Sequence, residues 1–66
     1  MDREKMAQVL RSLRREKGET QAEVAKSVGI SASAYAMYET GERVPRDDVK
    51  VMIAKHFNRS VKGIFF

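Results

Sequence analysis

Sixty-six residues at 7.5 kDa leave room for a single domain over 1–66, and a chain this short buries only about 60% of its unfolded surface, so its core is small. The composition is globular, with 42% hydrophobic and 33% charged residues, and without cysteine and with one histidine, His56, neither disulfides nor a Cys/His metal site is available. No apolar run approaches the roughly 18–20 residues of a membrane span, and Met1 leads into Asp-Arg-Glu-Lys rather than a signal peptide, so a soluble cytoplasmic domain is expected. The net charge of +4 divides unevenly: +3 over residues 1–18, −2 over 19–40 and +3 over 41–66. An anion-attracting surface therefore has to come from the two ends of the chain.

Met6, Val9, Leu10 and Leu13 stand at i, i+3, i+4 and i+7, which predicts a first amphipathic helix. Arg11 and Arg15 fall on its far side, and Arg14 lies at the edge of the apolar stripe. Lys17 in the last turn and Gly18 after it end the helix. Thr20-Gln-Ala-Glu23 is a capping box opening a second helix with Val24, Ala25 and Val28 inward. Gly29 supplies the left-handed turn, Ile30 plugs it, and Ser31 is a good N-cap for a third helix. Two short helices joined by so tight a turn, over about 20–40, form a helix-turn-helix.

On the third helix Tyr35 and Tyr38 share the core arc, while Ser33, Ala36, Met37 and Thr40 share the opposite arc. That outward arc carries no charge, which suggests a surface that touches something. Pro45 with Asp47 and Asp48 starts a fourth helix, whose periodic face is read as Val49, Met52, Ile53, His56 and Phe57. Asn58 ends it and Ser60 can cap a last apolar turn of Val61, Ile64 and Phe65. The paired acids at its start are dipole and capping residues rather than general acid–base groups, and His56 has no partner set that would make it a ligand. No nucleophile, base and orienting group coexist, so no enzyme is expected. The fold class read from this pattern is all-α, five helices in one domain.

Gln21 to Thr40, QAEVAKSVGISASAYAMYET, together with Leu13-Arg14, Lys17-Gly18, Arg43, Pro45, Ile53-Ala54-Lys55, Ser60-Val61 and Ile64-Phe65, resembles the lambda-repressor and Cro-like helix-turn-helix family of bacterial and phage transcriptional regulators. The resemblance implies a five-helix domain that places its third helix in the DNA major groove, as one half of a homodimeric repressor on a two-fold operator. It implies base reading by Ala32, Ser33, Ala36 and Met37, and phosphate contacts by Gln21, Ser31, Thr40 and Arg43. It also implies a structural ion pair between Arg14 and Glu39. Family members often carry glutamine, arginine, lysine or asparagine at the base-reading positions. The small uncharged set here points toward operator shape and deformability as a source of specificity. Asp47 and Lys50 stand where the family commonly has leucine, which predicts a rotated apolar face on the fourth helix.

The chain closes on Ile-Phe-Phe. One reading has Ile64 and Phe65 close the core. The other makes Val61, Ile64, Phe65 and Phe66, with part of the fourth helix over 46–66, a symmetric dimer surface. Double-stranded DNA and a second copy are the expected partners, with no cofactor, metal or small-molecule ligand. The alternative is an antitoxin-like or adaptor protein-interaction module on the same fold.

Overall fold

The computed structural model describes residues 2–66, all helix and short connection. The five helices are α1 (Arg3–Lys17), α2 (Gln21–Val28), α3 (Ala32–Thr40), α4 (Asp47–Phe57) and α5 (Val61–Phe65). Each of the first four ends on a left-handed residue: Gly18, Gly29, Gly41 and Asn58. Asp2, Thr20, Ser31 and Ser60 cap the helices they precede with side-chain oxygens. The local signals and the tertiary fold agree at these boundaries, the consistency expected of a well-specified short chain. None of the helices is long and apolar enough to cross a membrane.

The core is built from one stripe of every helix. Met6 and Leu10 of α1 meet Val24, Ala25 and Val28 of α2, Tyr35 and Tyr38 of α3, Val49, Ile53, Ala54 and Phe57 of α4, and Ile64 and Phe65 of α5. Val9, Leu13, Ile30, Val44 and Val61 pack around its edge. Tyr35 and Tyr38 meet edge to face with ring centroids 6.4 Å apart, which favours that arrangement beyond the area buried.

The C-terminal half corrects three expectations. Ile64 and Phe65 are buried within the protomer, so they close the core and are unavailable to a dimer surface, leaving half-buried Val61 and exposed Phe66. Met52 is 47% exposed rather than core. The apolar face of α4 is not rotated away from its lysine: Lys50 sits on the buried side. Its stem is covered while its ammonium reaches Asp47 at 3.6 Å and stands 4.9 Å from the ring centroid of Phe66. A long aliphatic stem with a charged tip can occupy such a position because the tip stays at the surface.

Candidate nucleic-acid interface

Thr20 and Glu23 fix the start of α2 reciprocally, the Thr20 hydroxyl accepting from Glu23 N at 3.1 Å and the Glu23 carboxylate accepting from Thr20 N at 2.8 Å. The bond from Thr20 N holds the Glu23 carboxyl below its ordinary pKa, and the nearby Thr20 hydroxyl adds to this to a smaller extent. Gly29, at φ +77°, then turns the chain, and its N–H donates back to the end of α2. Ile30 lies half-buried in the turn. This sets α3 across α2 with Tyr35 inward and the opposite face outward.

What locks α3 is a polar cluster centred on Glu39, whose side chain is only 1% exposed. Arg14 of α1 donates to it in a bidentate fork, Nε at 2.7 Å and Nη2 at 3.0 Å. The remaining Arg14 nitrogen donates to the Glu19 carbonyl at 3.0 Å. Gln21 Nε2 donates to the same carboxylate at 3.0 Å. Arg11 donates to the Glu39 main-chain carbonyl. Burial alone would raise the Glu39 pKa, but the hydrogen bonds from Arg14 and Gln21 outweigh it and hold the carboxyl below its ordinary range. The Arg14–Glu39 pair expected from the sequence is thus present, and it is one part of a larger cluster. Tyr35 lies beside it. Burial first, and the Glu39 carboxylate second, push its phenol pKa far up, yet the hydroxyl completes no regular hydrogen bond.

Ala32, Ser33, Ala36 and Met37 share the outward face of α3, the first two exposed and the others half-buried. Gln21 stands at the neighbouring end of α2, with its amide oriented by Glu39. Arg43 follows α3 in an exposed loop, its backbone N–H tied to the Met37 carbonyl at 3.3 Å, and it makes no ion pair among the described residues. Three of the four predicted phosphate ligands are engaged internally, Gln21 through its bond to Glu39. Ser31 Oγ accepts from Ala34 N at 3.1 Å as the α3 cap. The Thr40 hydroxyl faces the Met37 carbonyl at 3.1 Å and the Glu42 carboxylate at 2.9 Å. Arg43 is therefore presented outward with no side-chain engagement among the described residues, and Gln21 retains a second Nε2 hydrogen beside the one given to Glu39.

Two contributors were missed by the sequence reading. Arg11 was assigned to the far side of α1, but it is half-buried and reaches α3. Its place three residues before Arg14, on one side of the helix, was the available signal. His56 was left without a partner, whereas its Nε2 lies 2.6 Å from the Glu19 carboxylate and ties the end of α4 to the α1–α2 turn. Thirty-seven residues separate the two in sequence, and no local pattern links them.

The chain is similar to solved and classified proteins of one kind. A helix-turn-helix family profile matches residues 10–64. The crystal structure of the clp gene regulator ClgR from C. glutamicum superposes with a TM-score of 0.81 at 26% identity, covering 94% of this chain and 80% of that one. No curated protein matches the sequence significantly. With the matched stretch running from Leu10 in α1 to Ile64 in α5, this chain belongs to the Cro/C1-type helix-turn-helix family.

Proposed function

We propose that this protein is a sequence-specific DNA-binding transcriptional regulator, a homodimeric repressor that works in a bacterial or phage-infected cytoplasm. In this reading α3 enters the major groove, with Ala32, Ser33, Ala36 and Met37 against base edges. Gln21 and Arg43 grip phosphates, and Ser31 and Thr40 add contacts once their internal bonds exchange. The observation that carries it is the outward face of α3, small and uncharged, on a helix whose other side is immobilised by Glu39. A helix made to approach base edges needs such rigidity, because placement to within a fraction of an ångström decides whether a contact forms. The family and the likeness to a gene regulator support the same reading.

Alanine and methionine offer methyl and thioether contacts to thymine, and serine can donate or accept. None of these forms the bidentate bonds that discriminate strongly. Part of the specificity then comes from DNA shape. Selection from a random DNA pool tests the function: the expected product is a two-fold site with half-sites about one helical turn apart. A pool that shows no enrichment over unselected DNA rejects the reading.

The uncharged α3 face also favours a second reading, a protein-interaction module on the same fold. Salt separates the two. DNA binding through several phosphates weakens steeply with salt, whereas an apolar helix interface does not.

A further inference from the structure

Among the described residues, the exposed large apolar side chains are Val51 (43%), Met52 (47%) and Phe66 (75%). Phe66 has an intramolecular use, since its ring stands under the Lys50 ammonium. Val51 and Met52 stand under no such cation. They lie on the solvent side of α4 together with Asp48 and Lys55, which are also exposed. At 100° per residue, Asp48 and Lys55 fall about 20° apart, directly opposite the buried stripe, and Val51 and Met52 flank them by about 50° on either side.

This stripe has an internal symmetry. Asp48 stands three residues before Val51, and Lys55 stands three residues after Met52. Read from either end it presents charge, two apolar residues, charge, with the sign of the charge reversed. A two-fold axis crossing α4 between Val51 and Met52 lays a second α4 antiparallel on the first. Asp48 then faces the Lys55 position of the other copy, at both ends of the seam. Val51 and Met52 each sit on the axis against their own counterparts, as isologous contact requires.

We infer that the outer face of α4, Asp48-Val51-Met52-Lys55, is a self-complementary seam that pairs two copies of this chain antiparallel. The inference rests on the reading above that the protein works as a two-fold dimer, and it places that contact on α4 rather than at the C-terminus. The position suits the proposed function, because α4 packs mainly on α2, α5 and α1 and leaves the outward face of α3 free. Asp48 already meets Arg46 at 3.3 Å, but both side chains are largely exposed, so that pair yields readily to a second partner. Eleven residues make a helix of about 16 Å. A seam of that length is smaller than the roughly 1,600 Å² of a standard interface. The dimer is therefore weak in free solution and strengthened when both copies hold one operator.

Charge exchange tests the seam with the full chain, by sedimentation equilibrium over a range of concentrations and with circular dichroism to verify folding. Asp48→Lys sets lysine against lysine, and Lys55→Asp sets aspartate against aspartate, so each variant alone should self-associate at least tenfold more weakly than the wild type. An equimolar mixture of the two should pair about as well as wild type, since every seam position again meets its opposite. Met52→Glu, which leaves both helix ends untouched, should also weaken pairing. Undiminished association of either charge variant alone, or a mixture no better than its components, overturns the seam. Loss of pairing in Phe66→Ser without any effect of Asp48→Lys places the contact at the C-terminus and overturns it as well. A wild-type chain that stays monomeric and binds an isolated half-site overturns the seam and leaves DNA binding standing. Intact, charge-dependent pairing without DNA binding upholds the seam and rejects the regulator.

Discussion

Glu39 holds Arg14, Gln21 and, through its main chain, Arg11, so one carboxylate positions α1, α2 and α3 together. Glu39→Ala removes it and strands Arg14, whose side chain is 15% exposed. Losing one partner of such a pair should cost about 3 kcal/mol, the lower end of the range for buried pairs, measured by urea unfolding. The pH dependence has a definite sign. Because the folded Glu39 pKa is depressed, the unfolded chain binds more protons, and this part of the stability is present above the ordinary glutamate value. It is lost as pH falls through the folded value. Glu39→Gln should therefore flatten the acid limb of the stability curve, and an unchanged acid limb would remove Glu39 from the account. Tyr35→Phe asks the reverse question. A buried hydroxyl that completes no hydrogen bond costs about 1–3 kcal/mol, so deleting it should leave stability equal or higher. A clear loss would mean that the hydroxyl bonds to Glu39 after all.

At the scale of elements, the turns are held by backbone conformation as much as by contacts. Gly29 has φ +77° with open space where a Cβ would stand, while a Cβ at Gly41, φ +80°, would lie 3.4 Å from the Arg3 carbonyl oxygen. Gly29→Ala should cost about 1 kcal/mol for the left-handed conformation alone. Gly41→Ala should cost about the same, since the approach to Arg3 is an ordinary van der Waals contact and the left-handed backbone is the shared cause, and thermal unfolding of the two variants checks this. Helix boundaries of this kind were legible in the sequence because glycine, threonine, serine and asparagine act within three residues of themselves. The inward face of α4 was legible only in part. Val49, Ile53 and Phe57 follow apolar periodicity, but Lys50 and Met52 exchange the places their side-chain chemistry predicts. What decides between them is Phe65 and Phe66 arriving from α5 beneath Lys50, a tertiary contact with no local signature. The same holds for the site. Arg14 and Glu39 were found through the family pattern, whereas the Gln21 link to Glu39 and the His56 link to Glu19 depend on how helices cross.

At the scale of the molecule, several cations are neutralised by internal partners, and the net charge of +4 is carried by the others. Arg14, Lys17 and Lys50 meet Glu39, Glu19 and Asp47, while Arg43 makes no ion pair among the described residues. Proximity to α3 then separates two classes of substitution. A phosphate contact senses charge and not sequence, so Arg43→Ala should weaken binding to all DNA about equally. It should also reduce the slope of log K against log salt by about 1 for each protomer bound, about 2 for a dimer. Met37 lies on the half-buried outward face of α3 and carries no charge. Met37→Ala should leave that slope unchanged and shift the preferred base at one position of each half-site. Titrations of both variants against a selected site and a scrambled one, across a salt series, measure the two effects independently. If Met37→Ala changed the salt slope, or Arg43→Ala changed base preference without it, gripping and reading would not be divided between the loop and the helix in this protein. The outward face of α3 would then lose its role as the reading surface.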